Sequence, residues 1–236
     1  MGQVVLLVAM AYLVGSIPTS YLAGRWLKGI DLRRYGSGTV SGTGVYYHVS
    51  RPAVVVVGLL DIAKVWLPTW LGLRWGLGLG AALAAGLAAM IGHNWPIYLN
   101  FHGGRGHSSI LGVMLVVFPW GFPWLLAFMA VGRLVGQTAL FSLAGIATLP
   151  LLLAFAGQPP AVIWASLAML GITIAKRLEA NRRPLPPAGP ERRRVLLRRL
   201  LLDRDVSSRD AWERRPPADT AQPPAEKENP WPESQS

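Results

Sequence analysis

The chain has 236 residues, is 52% apolar, carries a net charge of +11 and has no cysteine, which excludes disulfides, thiolate metal sites and a cysteine nucleophile. Of its 12 acidic residues only Asp31 and Asp61 precede residue 176, so a water-soluble domain is excluded over that stretch. A soluble surface needs charge, whereas each ionised group in hydrocarbon costs about 2.5–3.5 kcal/mol on insertion scales. The excess of Lys and Arg reads as the positive charge that gathers on the cytoplasmic side of membrane proteins, and no nucleic-acid partner is expected.

A helix needs about 20 residues to cross a bilayer. Residues 4–26 are long enough for a first span. Met1-Gly2-Gln3 carries no basic side chain and no small-x-small cleavage site follows, so this run reads as a span and not as a leader. Gly15, Pro18 and Gly24 in its second half should bend or loosen it. After the polar, glycine-rich residues 28–51 come a second span over 52–71 and a third over 76–91, dense in Ala and Gly and suited to close helix packing. Residues 93–107 are again polar. A fourth span starts near Ser108 and ends by the corner Pro119-Trp120-Gly121-Phe122-Pro123. A fifth runs to about Val135, a sixth over 138–155 and a seventh over 161–175.

The expected fold class is therefore all-α: a polytopic transmembrane bundle of about seven spans in residues 1–180, followed by a cytoplasmic, basic, proline-rich tail in 181–236. Within the tail, residues 191–205 alternate basic and leucine clusters at helical spacing, which predicts a short amphipathic helix on the anionic inner leaflet. From Val206 onward the polar, proline-containing composition reads as disordered. With seven spans, one side of the membrane receives residues 28–51, 93–107, 133–137 and the tail, which hold most of the Lys and Arg. The bias puts these in the cytoplasm and the N-terminus outside.

Three polar islands fall on that side. The first is Gly15-Ser16-Ile17-Pro18, leading through Asp31-Leu32-Arg33 into Gly36-Ser37-Gly38-Thr39. The second is Asp61 with Lys64, one helical turn apart, which either pair with each other or touch a substrate. The third is Gly92-His93-Asn94-Trp95-Pro96, followed by Phe101-His102-Gly103-Gly104-Arg105-Gly106. In the third, paired glycines beside Arg and His let backbone N–H groups approach an anion while a cation neutralises it. The fourth span begins immediately after, so its free N–H groups point to the same place. A phosphate suits this island; a basic turn at the membrane surface is the plainer alternative. His48 is expected at the interface, and Trp66, Trp70, Trp75, Trp120 and Trp124 fit an aromatic belt. No histidine is followed five residues later by aspartate, and there is no P-loop, no His-Glu-x-x-His helix and no Gly-x-Ser-x-Gly elbow.

In this order the islands resemble the bacterial acyl-phosphate:glycerol-3-phosphate acyltransferases, small seven-span inner-membrane enzymes. That family runs Gly-Ser-Ile-Pro, then Asp-Ile-Arg before Gly-Ser-Gly-Asn, then Asp-x-x-Lys, then Gly-His-x-Phe-Pro leading into Lys-Gly-Gly-Lys-Gly, and later Ser-Leu-Ala-Ser-Ile. The last motif resembles Ser142-Leu143-Ala144-Gly145-Ile146 here. The resemblance spans about residues 4–183. Several positions depart from the pattern: Thr39 stands for Asn, Gly42-Thr43-Gly44 for Ala-Thr-Asn, Tyr47 for an Arg, and His102 and Arg105 for two lysines.

The resemblance implies transfer of an acyl group from acyl phosphate to the sn-1 hydroxyl of glycerol 3-phosphate, giving lysophosphatidic acid, with the acyl chain among membrane lipids. It requires no metal and no cofactor. It implies Arg33, Lys64 and Arg105 on the phosphates, with Ser37 and the Gly103 and Gly104 amides as hydrogen-bond donors. His93 would orient or deprotonate the acceptor hydroxyl, or be structural. Ser37, His93 and Arg105 are the expected catalytic residues. Ser16, Gly36, Gly38, Asn94, His102 and Ser142 complete the expected substrate site with Arg33, Lys64 and the two glycines. The alternative is a catalytically altered homologue that binds a lipid or a phosphorylated metabolite. A transporter is disfavoured, because the polar groups cluster on one side and not at the midplane.

Overall fold

The computed structural model describes residues 1–35, 38–182 and 184–208. Among them every regular element is helical. The expectations for Gly36 and Ser37, and for most of the disordered tail, lie outside the described residues.

The first apolar run forms two helices, α1 (Gly2–Gly15) and α2 (Thr19–Lys28). The break is at Pro18, whose ring supplies no backbone N–H to continue the ladder. Gly29, at φ 66°, ends α2 in the left-handed conformation that glycine adopts without penalty. A single 3-10 turn, Leu32–Arg34, is capped by the Asp31 side chain accepting from the Arg33 N–H. The short α3 (Gly42–His48) and the long α4 (Ala53–Arg74) follow. Leu32, Val45, Val49 and Val57 form a small apolar core that seats the 30–50 segment on the end of α4.

The remaining helices are α5 (Leu79–Asn94), α6 (His107–Val117), α7 (Gly121–Leu134), α8 (Thr138–Phe155), α9 (Pro160–Glu179) and α10 (Pro190–Leu202). All seven apolar segments expected from the sequence are present as helix. The segment Gly2–Lys28 and helices α4, α8 and α9 are long and apolar enough to cross a membrane. Helices α5, α6 and α7 have 16, 11 and 14 residues, short of the ~20 that a perpendicular crossing needs. Helices α6 and α7 meet at the expected corner, with Gly121 beginning α7.

Polarity is inverted relative to a soluble bundle. Val5, Leu6 and Met10 of α1, Val55, Val56, Leu59 and Leu60 of α4, and Leu151 and Phe155 of α8 face outward. Ser16, Asp61, Lys64, Thr69, Ser109, Ser166 and Thr173 are buried. A lipid-facing surface has no hydration to satisfy polar groups, so they must find partners inside. The helices close on small residues. A side chain at Gly15 would overlap the Ala89 backbone, one at Gly92 would overlap Tyr12 O, and one at Gly72 would meet Ala82 Cα. These contacts hold α1 and α4 against α5 at backbone distance, the mode by which helices associate where lipid removes the hydrophobic drive. The main core lies among α4, α5, α6, α8 and α9, around Val65, Met90, Ile110, Met114, Leu149 and Met169.

Candidate active site

The third polar island folds back on the helix it leaves. After α5 ends, one 3-10 turn (Ile97–Leu99) and two left-handed residues, Asn100 and Phe101, reverse the chain. Gly103 and Gly104 then lie on the end of α5, and Gly104 N–H donates to His93 O at 3.1 Å. Any Cβ at Gly104 would strike the His93 ring, so a backbone without side chains is a steric requirement here. Val40 N–H donates to Gly103 O at 3.3 Å. Asn181 Nδ2 donates to Gly38 O at 3.0 Å and to Gly103 O at 3.3 Å. The three stretches around Gly38, Gly103 and Asn181 are thus stitched into one floor.

Beside this floor is a cavity of about 350 Å³. Thr39, Ser41 and Thr43 bring hydroxyls to it from the start of α3. Arg105, Gly106, His107 and Ser108 come from the third island and the start of α6, and Gln137, Thr138 and Ser142 from the start of α8. Asp61, His93, Arg177, Asp203 and Arg204 complete the polar wall, and Val54, Gly58 and Met129 form an apolar one. Two helix N-termini therefore open on the cavity, α6 after Gly106 at φ 77° and α8 after Gln137, neither capped by a side chain. Their first-turn N–H groups and the positive ends of their dipoles favour an anion. The polar segments that charge bias assigns to one side of the membrane meet here.

The cavity cations are held by carbonyls. Arg105 Nη1 donates to Lys176 O at 3.0 Å. Arg177 donates to Ala139 O at 2.9 Å and to Leu200 O at 2.8 Å, and its Nη2 lies 3.4 Å from Ser142 Oγ. Arg105 Nε lies 2.9 Å from Asp203 Oδ1, an ion pair without the alignment of a hydrogen bond. His107 Nε2, Thr138 Oγ1 and Arg177 Nε are buried in residues lining the cavity and have no hydrogen-bond partner among the described residues. Buried polar atoms are rarely left so, and a cluster beside a cavity marks a place for a ligand.

Of the other expected site residues among those described, His93 lines the cavity and the rest lie outside its wall. Lys64 pairs with Asp61 Oδ1 at 2.8 Å and donates to Ile17 O at 2.8 Å, exposed by the break before α2. Thr19 donates to the same carboxylate oxygen at 2.6 Å. His93 Nδ1 is 3.5 Å from Asp61 Oδ1, too long for a well-formed hydrogen bond but close enough for the carboxylate to orient the ring. Ser16 donates to Tyr12 O at 2.8 Å within its own helix. Asn94 is fully buried under Gly106, outside the cavity wall. Arg33 does not reach the cavity: its guanidinium grips Asp31 at 2.6 Å, two residues away. Partial burial pushes the Asp31 carboxyl up, but the hydrogen bonds and charge of Arg33 outweigh it and hold the group below its usual value. His102 also stays outside, its Nδ1 2.8 Å from Asn100 O. The Gly104 amide, expected to donate to substrate, is already used by His93 O.

Sequence reasoning missed Arg177, Asn181, His107 and Asp203. Arg177 could have been flagged as an arginine at the end of an apolar span. Asn181 is aimed inward by two consecutive left-handed residues, Ala180 at φ 47° and Asn181 itself at φ 54°, and an alanine gives no warning of that.

The sequence model of the glycerol-3-phosphate acyltransferases matches residues 5–185. The chain belongs to the glycerol-3-phosphate acyltransferase family. It is an acyltransferase integral to the membrane. It is 34% identical over 224 residues to glycerol-3-phosphate acyltransferase 4 of Dehalococcoides mccartyi (strain CBDB1), covering 88% of this chain and 91% of that one. It is 42% identical over 163 residues to the glycerol-3-phosphate acyltransferase of Synechococcus sp. (strain CC9902), covering 69% and 82%. Among solved structures it resembles PlsY (YgiH), an integral membrane glycerol 3-phosphate acyltransferase, in its glycerol 3-phosphate form, with a TM-score of 0.69 at 29% identity over 77% of this chain and 91% of that one. The lysophosphatidic acid form of the same protein superposes with a TM-score of 0.67. All three polar islands of this acyltransferase fall inside the matched residues, and α10 follows them.

Proposed function

We propose that this acyltransferase moves an acyl group from acyl phosphate to the sn-1 hydroxyl of glycerol 3-phosphate, releasing lysophosphatidic acid and inorganic phosphate. The observation that carries the proposal is the convergence on one cavity of two arginines, Arg105 and Arg177, two uncapped helix N-termini and a set of hydroxyls. Such a wall suits two phosphate groups held side by side. The acceptor and product named for the forms of the solved relative fit the same chemistry. At the departures from the family pattern, Thr39 brings a hydroxyl to the cavity, and Arg177 lines the same wall.

Acyl phosphate is already activated, so the protein need not form a covalent intermediate. The sn-1 oxygen attacks the acyl carbon, and the bond from that carbon to the phosphate oxygen breaks. Phosphate departs with the electron pair. His93, oriented by Asp61, takes the hydroxyl proton. Arg105 and the α6 N-terminus neutralise the leaving phosphate, while Arg177 with the α8 N-terminus and Ser142 holds the acceptor's phosphate. Positioning and charge neutralisation supply the rate. Ser37, Gly36 and Gly38 are assigned to substrate on the strength of their motif. The acyl chain leaves along Val54, Gly58 and Met129 toward lipid. The membrane is the bacterial inner membrane, with the N-terminus outside and the cavity, together with residues 181–236, on the cytoplasmic side, as the distribution of Lys and Arg favours.

The test is product formation by the purified protein in nanodiscs, given glycerol 3-phosphate and, in separate arms, acyl phosphate, acyl-CoA or acyl carrier protein. The proposal expects lysophosphatidic acid and one phosphate per turnover with acyl phosphate. Product only from a thioester arm would replace the donor, and no product in any arm would sink the reading.

A further inference from the structure

One contact at the cavity is not accounted for by acyl transfer. Helix α10 lies against the ends of α8 and α9, and its last turn reaches the cavity through Leu202, Asp203 and Arg204. It is pinned there by buried arginines. Arg177 donates to Leu200 O at 2.8 Å, and Arg199, only 1% exposed, donates to Leu178 O at 3.1 Å and Pro184 O at 3.2 Å. Arg199 also grips Asp205 at 2.6 Å. Between these anchors Asp203 ends the helix in the left-handed conformation, φ 55°, and its carboxylate stands 2.9 Å from Arg105 Nε. A carboxylate thus occupies the cation that would meet a phosphate.

We propose that Asp203 is a resident competitor for the phosphate position at Arg105, and that α10 is a strap which substrate phosphate must loosen. This rests on the assignment of Arg105 to a phosphate. Two features make the contact exchangeable. The pair lacks hydrogen-bond alignment, and the Asp203 side chain is 22% exposed where that of Arg105 is 8%, so the acid has a route into water. Arg177, also in the cavity wall, donates to an α10 carbonyl, so Arg105 and Arg177 both join the cavity to the strap. A phosphate that binds only when Asp203 has moved away is negatively coupled to docking of α10. By linkage the coupling acts equally in both directions. Removing the Asp203 charge tightens phosphate binding, and saturating phosphate loosens α10.

The experiment uses the full chain in nanodiscs, titrated with inorganic phosphate and with glycerol 3-phosphate, as wild type, Asp203→Asn, and Asp203→Asn combined with Arg105→Ala. The single variant is expected to bind both anions about three- to fivefold more tightly, the factor carried by a partly exposed ion pair. The gain is expected to vanish in the double variant. In parallel, hydrogen exchange of residues 190–203 in the wild type is expected to quicken when phosphate saturates, a readout that needs no variant to fold. Affinity that is unchanged or weaker in folded Asp203→Asn, or exchange that stays the same or slows, overturns the proposal. Lysophosphatidic acid formation without these effects leaves the acyl-transfer reading standing and removes the strap. These effects without turnover do the reverse.

Discussion

Two ion pairs are built differently, Lys64 with Asp61 within α4 and Arg105 with Asp203 between the third island and the end of α10. Lys64 and Asp61, 7% and 4% exposed, are enclosed by fixed partners from the bundle: a carbonyl freed by the Pro18 break, the Thr19 hydroxyl and the His93 ring. Arg105 takes one carbonyl from α9, and its carboxylate comes from a helix laid over the cavity from outside the bundle. The first pair lies within one span, and its partners are parts of the bundle itself. The second is completed by a group on a removable element. Burial of charge thus serves two ends in our proposal: a closed pair holds the helices together, and an open one keeps a cation available to an anion.

Breaking the closed pair is expected to have the largest effect. Lys64→Met leaves Asp61 buried without its cation, which destabilises by about 3–5 kcal/mol. Thermal unfolding in detergent should show a large fall in midpoint, or no folded protein, and a near-native midpoint would show that the two pairs do not differ in kind. Arg105→Ala is expected to keep the midpoint within a few degrees while lowering kcat by about 100- to 1,000-fold, the range for losing a group that stabilises developing charge. A variant that unfolds instead would make Arg105 structural.

A third variant probes the packing on which the closed pair depends. Gly92→Val drives a side chain into Tyr12 O and Ser16, and overpacking of this kind costs about 1–3 kcal/mol. Its loss of stability should exceed that of Gly58→Val, since no atom lies within 4 Å of where a Gly58 Cβ would be. Equal losses would mean that the α1–α5 contact is not tight. The smallest effect is expected at Arg33, whose partner is two residues away. Arg33→Ala should change stability by about 1 kcal/mol or less. Because Arg33 holds the Asp31 carboxyl below its unfolded value, that contribution is present above the ordinary carboxylate pKa and is lost as pH falls through the folded value. Wild type and variant should therefore converge in stability under strongly acidic conditions, and a difference that grows with acid would contradict the pairing.

The bundle was largely legible because apolar runs and glycine or proline punctuation depend on residue type alone. The Pro119–Pro123 corner and the break at Pro18 follow from chain chemistry, although the latter splits a run that composition presents as one span. The third island was legible for a similar reason, since Gly103 and Gly104 are positions where no side chain fits. Residues whose part is set by tertiary structure could not be read. Arg33 reads as a phosphate ligand in its motif, and nothing in the motif announces its pairing with Asp31. Asn181 looks like a linker residue until two left-handed residues turn it onto Gly38 and Gly103. Asp203 looks like a tail acid until α10 docks. The sequence predicts helix over 191–205 from its periodicity, but which surface that helix meets depends on Arg177 and on the Leu178 and Pro184 carbonyls, whose placement has no sequence signature.

The assignment under test is acyl transfer at the cavity beside Arg105. Its most direct test is kcat/KM for glycerol 3-phosphate with acyl phosphate as donor, measured for wild type, Arg105→Ala and Arg33→Ala in the same nanodisc. A loss of at least about 100-fold is expected for Arg105→Ala, with Arg33→Ala within about threefold of wild type. Equal losses for the two, or a wild-type rate that Arg105→Ala retains, would contradict it.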